Sequence, residues 1–516
     1  MIWLIAKKDF LLNLLSVRFI IGFVLCLVII PFTIIVSVDD YLAKQNSYEI
    51  ESKQAADELS GHRVWSAVRP TVVTKPEPLS IFSSGISANL GNRVKIAFDT
   101  YPLFPTGHTV TQDNPLLNAF FSIDFSRVVA ILISLIALVF AYDTITRERE
   151  DGTMKLSLTG QVSRISFLFG KLLGLILTLL PILLFCYLLA CLIIILNPAI
   201  SFSATDWGSI ALMFLISMFY MLIFILLGML ISSLVKRSSS SIILSLLCWI
   251  WFLFLMPNIS TYLSQSIAKT PLYDNVQVAI SEYEKEFYEK DEERQKQLND
   301  EMGGDVWVVY WNANMGRDGF LEFSGTLKEA VEHARQMQVW KWPTALDYAD
   351  KKWVLQRDYL DKMLSQQRLQ QTIAFFSPSE IFRQTTEILC HTSVDDFQKY
   401  MESVRNYRET VIRYFADNKL YESLRYFTVQ TWDQFPSQKE FDRSSGSIED
   451  LFTVLRKIPA DQYEPLNLDN LPRFEARQAT IFSMFADALG RMAVMIGLGI
   501  LLLLGTILSF MRYDVR

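Results

Sequence analysis

Side chains able to do chemistry gather in one short stretch, Asp143–Lys171 (DTITREREDGTMKLSLTGQVSRISFLFGK). It sets Arg147, Glu148, Arg149 and Glu150 on consecutive positions, then Gly152 and Thr153, then Ser163 and Arg164. Thr144 or Thr146 can cap a short helix here, and acidic residues favour its N-terminal turn. Gly152 stands where a glycine ends a helix, and Ser163 can open the next one. The pattern predicts a short surface helix carrying charges of both signs. Such a helix suits the groove of a soluble partner, and it equally suits a solvated turn between two apolar runs.

Other chemistry is missing from the sequence. No GxxxxGK[ST] phosphate loop occurs; Gly170-Lys171 comes nearest but lacks the upstream glycine and the following Ser or Thr. The chain therefore has no P-loop with which to hold ATP. GxSxG, HExxH and GxGxxG are also absent. His62, His108, His333 and His391 share no ligand spacing. Cys390-His391, with Asp395 and Asp396 close by, has donor types for a soft metal, but adjacent residues seldom aim at one ion. No catalytic residue, cofactor site or metal site is expected in this chain. The serine run Ser238–Ser241 reads as a turn and helix cap. A net charge of −6 leaves no basic footprint for nucleic acid.

The elements that must position the charged stretch are apolar. Of 516 residues, 51% are hydrophobic and 20% charged, with mean hydropathy +0.25. Soluble domains usually carry about 25% charged residues, so the balance points to a membrane protein. A spanning helix needs roughly 20 mostly apolar residues. Six runs qualify: 16–38, 124–142, 167–196, 207–235, 241–263 and 491–511. Pro181 lies inside the third and Pro257 inside the fifth. Residues 1–15 read as an interfacial amphipathic helix and 512–516 as a tail. Lys7, Lys8, Arg18, Arg147, Arg149, Lys155, Arg164, Lys171, Lys236, Arg237, Arg512 and Arg516 all fall on one side of a six-span plan. The positive-inside bias then puts both termini in the cytoplasm. The span interiors hold almost no ionisable residue, which disfavours a proton relay.

Two segments are left on the other side. Residues 39–123 open with a polar helical stretch (Tyr41 to Leu59). Short β-like runs follow at 63–73 and 92–98, broken by prolines. The larger segment, 264–490, is domain-sized and mainly helical by pattern: 283–298, 346–374, 394–415 and 421–428 read as helices, and 306–311 as one strand. Residues 261–490 hold 27 Lys and Arg against 37 Asp and Glu, which accounts for the acidity of the whole chain. Trp307, Trp311, Trp340, Trp342, Trp353 and Trp432 fall here. They suit a stacking surface for a ligand, or more plainly a packed core. The expected fold class is mainly α: six spans, a small mixed α/β segment and a larger helical extracytoplasmic domain.

The pattern Arg147-Glu148-x-Glu150-x-Gly152-Thr153, then Leu156 and Leu158, Val162-Ser163-Arg164, and Gly170-Lys171 resembles the signature of ABC-2 type exporter permeases. Six spans with both ends inside is that family's plan, and the lead Ile2–Leu15 is similar to its elbow helix. The segment 75–85 (KPEPLSIFSSG) is similar to a motif of a subgroup with large insertions between spans one and two and between spans five and six. The resemblance implies a permease subunit in the bacterial inner membrane, driven by two copies of a separate cytoplasmic ATPase that binds ATP and Mg. That ATPase would dock on 143–166, and a second permease chain, the same or a sister, would complete the complex. The alternative is an ATP-driven mechanotransmitter acting on a periplasmic partner through the outer domain.

Overall fold

The computed structural model describes residues 1–88, 91–105, 124–154, 163–302, 313–315, 321–323, 327–443, 464–475 and 481–512. Among the described residues, six helical stretches are long and apolar enough to cross a membrane: Val17–Ser60, Phe125–Glu150, Arg164–Ile195, Ala204–Leu234, Ser238–Ile267 and Met484–Met511. The protein is a mainly α-helical polytopic membrane protein. In chain order the elements are α1 (Ile2–Leu14), α2 (Val17–Ser60), β1 (Thr71–Val73), β2 (Arg93–Lys95), α3 (Phe125–Ala141), α4 (Thr146–Glu150), α5 (Arg164–Ile195), α6 (Ala204–Leu234) and α7 (Ser238–Ile250). After a widened π turn (Trp251–Leu255) come α8 (Met256–Ile267), α9 (Tyr273–Glu301), β3 (Ala313–Met315), β4 (Leu321–Phe323) and α10 (Lys328–Ile373). The chain closes with α11 (Pro378–Leu389), α12 (Val394–Asp417), α13 (Gln438–Arg443) and α14 (Ile481–Met511).

α6 is the centre of the bundle and packs against α3, α5, α11 and α14. Tyr220 and Phe224, midway along it, are fully buried, and Tyr220 donates its hydroxyl to the Ala130 carbonyl of α3 at 3.1 Å. α1 lies along α5 on two glycines one turn apart. A Cβ at Gly170 would stand 2.8 Å from Ile5 Cβ, and one at Gly174 3.0 Å from Asp9 Cβ. Small residues at that spacing let two backbones touch. The opposite side of α1 exposes Trp3, Leu4, Leu12 and Leu15, a face for lipid.

Several helices differ from the expected bounds. The first span and the polar stretch after it form one rod, since α2 runs unbroken from Val17 to Ser60 with Pro31 inside. α10 starts at Lys328, well before residue 346, and includes Pro343. Residues 421–428 make two 3-10 turns instead of a helix, because Lys419 takes a left-handed backbone (φ 49°) just before them. The stretch 306–311 lies outside the described residues.

The larger segment also re-enters the bundle. α11 packs among α3, α6 and α14, and Phe382 stacks on Tyr220 with ring centroids 4.7 Å apart. At 12 residues it is too short to register as a span. It carries Glu380, Arg383 and Glu387 on one face, with the guanidinium paired to both carboxylates. Segment 75–85 seals the same end of the bundle: Leu79, Ile81 and Phe82 are buried, and Phe82 meets Phe125 edge-on at 5.2 Å. Asp124 caps α3 through the Arg127 amide at 2.9 Å and accepts the Ser84 amide at 3.1 Å. Gly85 has φ +48°, and a Cβ there would fall 2.2 Å from the Thr392 carbonyl oxygen.

Beyond the bundle, β1 and β2 pair antiparallel, Val72 opposite Val94. Trp65, Phe415 and Tyr421 form a core there, and Arg408, 1% exposed, donates to the Ala97 carbonyl at 2.9 Å. The described tryptophans favour packing over a ligand surface. Trp342 stacks on Tyr421 at 4.7 Å, Trp353 on Tyr101 at 5.0 Å, and Trp432 leans on Phe435 at 6.3 Å.

Candidate functional site

α4 is only five residues long, and its neighbours hold it in place. No threonine caps it. Instead the Ser232 hydroxyl of α6 accepts the amides of Ile145 and Thr146, each at 3.1 Å. A side chain from a neighbouring helix thus satisfies donors that every helix start leaves over. Gly152 ends the turn with φ +72°, and Ser163 caps α5 by accepting the Ser166 amide at 3.1 Å.

Of the charges of α4, Glu148 and Arg149 are half-buried and Arg147 and Glu150 are exposed. Glu148 accepts the Lys171 ammonium at 2.7 Å, and Lys171, 7% exposed, also reaches Asp9 of α1 at 3.1 Å. One cation of α5 therefore joins two carboxylates from two other elements. Burial pushes the Asp9 carboxyl up, and Lys171 works against that push. Lys171 also lies 5.5 Å from the Phe167 ring centre, and Phe167 stacks on Phe510 of α14 at 5.8 Å. Thr153 donates its hydroxyl to the Glu148 carboxylate.

Glu150 accepts the Ser238 amide at 2.8 Å and its hydroxyl at 2.6 Å, so an anion sits at the N-terminus of α7. Arg149 donates to the Val235 carbonyl at 2.9 Å, where α6 ends. Arg164 does the same for α14, donating to the Met511 carbonyl at 2.7 Å. Arg18 pairs with Asp143 at 2.9 Å and donates to the Tyr142 hydroxyl at 2.9 Å. Of the expected residues, Arg147 faces out, 3.8 Å from an equally exposed Asp151.

The structure thus brings Glu148, Arg149, Glu150 and Thr153 into one junction with α1, α5, α6 and α7. Ser163 and Arg164 sit apart, at the start of α5. Leu156, Leu158 and Val162 lie outside the described residues. Asp9 and Ser232 carry no motif in the sequence, Ser238 reads there only as part of a turn and cap, and Lys171 only as part of a motif and of the basic set. A lone ammonium opening an apolar helix and a lone acid in an apolar lead were the available signal. Among the described residues no His, Cys, Asp or Glu group is placed to hold a metal. The arrangement fastens a short charged helix to four longer elements.

A family model described as ABC-2 family transporter protein matches residues 3–515. The chain belongs to the ABC-2 transporter family. No curated protein matches it. The match takes in the large segment 264–490, which the motifs near α4 did not reach. Membership makes the protein the permease component of an ABC transporter, set in a lipid bilayer and implying a partner ATPase. Both described ends of this ABC-2 permease lie at the α4 end of the bundle, as Asp9–Lys171 and Arg164–Met511 record.

Proposed function

We propose that this ABC-2 permease is an export subunit of the bacterial inner membrane, with both termini and α4 in the cytoplasm. A separate ATPase docks on residues 143–166, and ATP-driven closure of two ATPase copies moves two permease chains. The observation that carries this reading is the fastening of α4. A solvated turn needs no buried ammonium, no anion at a helix start and no borrowed hydroxyl to hold it, whereas a lever does. Glu148 then belongs to the lever's attachment, and Arg147 with Asp151 offers the outward charges for docking. Affinity purification from native membranes in mild detergent, with an ATP-hydrolysis assay, tests the reading. A P-loop ATPase should co-purify, and Arg147→Glu with Asp151→Lys should reduce its recovery at unchanged permease level. Full recovery of the ATPase with the swapped charges would remove α4 as the docking site.

A further inference from the structure

The fifth span is broken in its middle. α7 stops at Ile250, the chain widens into the π turn Trp251–Leu255, and α8 resumes with Pro257 in its first turn. Proline has no amide hydrogen and crowds the carbonyl four residues back, here that of Leu253. A π turn absorbs that crowding, and such turns recur at functional places in helices. The Phe252 carbonyl accepts two hydroxyls from the start of α11, Ser377 at 2.6 Å and Ser379 at 2.8 Å. Ser377 is fully buried. The re-entrant helix is thus pinned to the break, while α6 grips it one turn further on through Phe382 and Tyr220.

Beyond the break, α8 is tied to the end of α10. Gln366 donates to the Ala268 carbonyl at 2.7 Å, and Gln370 to the Ser260 hydroxyl at 3.4 Å. α10 then runs antiparallel to α9. Tyr359 meets Tyr273 at 5.2 Å, Lys290 donates to the Tyr348 hydroxyl at 2.9 Å, and Lys341 pairs with Asp291 at 3.0 Å. The outer half of span five, α9 and α10 are cross-linked along their length, whereas α7 is not.

We infer that Trp251–Leu255 is a hinge, that α8, α9 and α10 swing about it as one arm and carry the outer core that Trp342 and Trp353 join through Tyr421 and Tyr101, and that α11 is the fulcrum. A bend of span five inside the bilayer is thereby delivered as displacement outside it. The α10 stretch from Thr344 to Ile373 alone is about 45 Å long at ~1.5 Å per residue. A 10° bend moves its far end by roughly 8 Å on that length. The drive for this motion rests on the ATPase reading above.

Spin labels at Glu292→Cys on α9 and Ala199→Cys at the outer end of the bundle, in a chain lacking Cys191 and Cys248, report the swing as a distance. With the co-purified ATPase, trapping ATP should shift that distance by several ångström. Ser377→Ala with Ser379→Ala should shrink the shift while ATPase binding and hydrolysis persist. An undiminished shift in that variant, or none in the parent complex while it hydrolyses ATP, overturns the hinge. If no ATPase co-purifies, the function reading fails by itself, and the permease alone still decides the hinge. The parent should show a broad distance distribution and Pro257→Ala a narrow one; equal widths overturn the proposal.

Discussion

Replacing Lys171 with methionine keeps an unbranched side chain, one heavy atom shorter, and removes the charge. The side chains of Glu148 and Asp9 are 17% and 13% exposed, so their carboxylates would be left facing each other with little water. Removing one partner from a buried ion pair costs about 3–5 kcal/mol. A five-residue helix has almost no stability of its own, so the cost falls on its attachment before the whole fold. At ~1.4 kcal/mol per factor of ten, release of α4 should become at least roughly a hundredfold more frequent. Trypsin cleavage after Arg147 and Arg149, followed by mass spectrometry on detergent-solubilised protein, reads this directly. The triple variant Asp9→Asn, Lys171→Met, Glu148→Gln removes every charge of the node at nearly constant shape. Replacing all partners together is close to neutral where removing one is not, so cleavage should fall back toward the parent rate. Equal cleavage of Lys171→Met and parent would refute the ionic clamp. A triple variant as labile as the single one would show that packing, not charge, holds α4.

Three further outcomes follow from the same geometry. Gly170→Val should lift α1 from α5, because even a Cβ there meets Ile5 at 2.8 Å; overpacking of this kind costs ~1–3 kcal/mol, and a cysteine pair at Ile5 and Leu173 should lose its cross-linking yield. Gly85→Ala places a Cβ on the Thr392 carbonyl at positive φ, a strain of ~1–3 kcal/mol, and should lower the midpoint of thermal unfolding, with an unchanged midpoint counting against the close contact. His333 is buried, and burial, then Arg294, holds its imidazole below the ordinary value. The folded chain resists that proton, so this contribution to stability is intact above pH ~6.5 and shrinks as pH falls through it. His333→Gln should flatten the fall in unfolding midpoint between neutral and mildly acidic buffer, and parallel profiles would exclude His333 as its source.

The spans were legible because 20-residue apolar runs have no soluble explanation, and the helix stop at Gly152 and start at Ser163 were legible as local cap chemistry. The attachments of α4 were not. Ser232 lies 86 residues from Thr146 and Asp9 lies 162 from Lys171, and no spacing rule reaches that far. The expectation of a threonine cap failed for this reason: the nearest hydroxyl in sequence lost to one carried in by α6. α11 was hidden differently. Glu380, Arg383 and Glu387 gave it the look of a soluble helix, and only their mutual pairing makes it tolerable inside the bundle.

The shortness of α4 has a mechanical consequence. A long surface helix could bend or fray under a docking load and dissipate it along its own length. Five residues cannot, because every side chain but Arg147 is committed to another element or to the turn itself. Ser232 ties it to α6, Glu148 to α5 and α1, and Glu150 to the first residue of α7. α7 is the half of the broken fifth span nearer α4, so a displacement of Glu150 along the helix axis is applied to α7 at its end. The π turn at Trp251–Leu255 is the next place along that helix where the backbone ladder gives way. α4 and the π turn therefore meet opposite ends of one helix, 13 residues long, which is the connection that the proposed lever and hinge require.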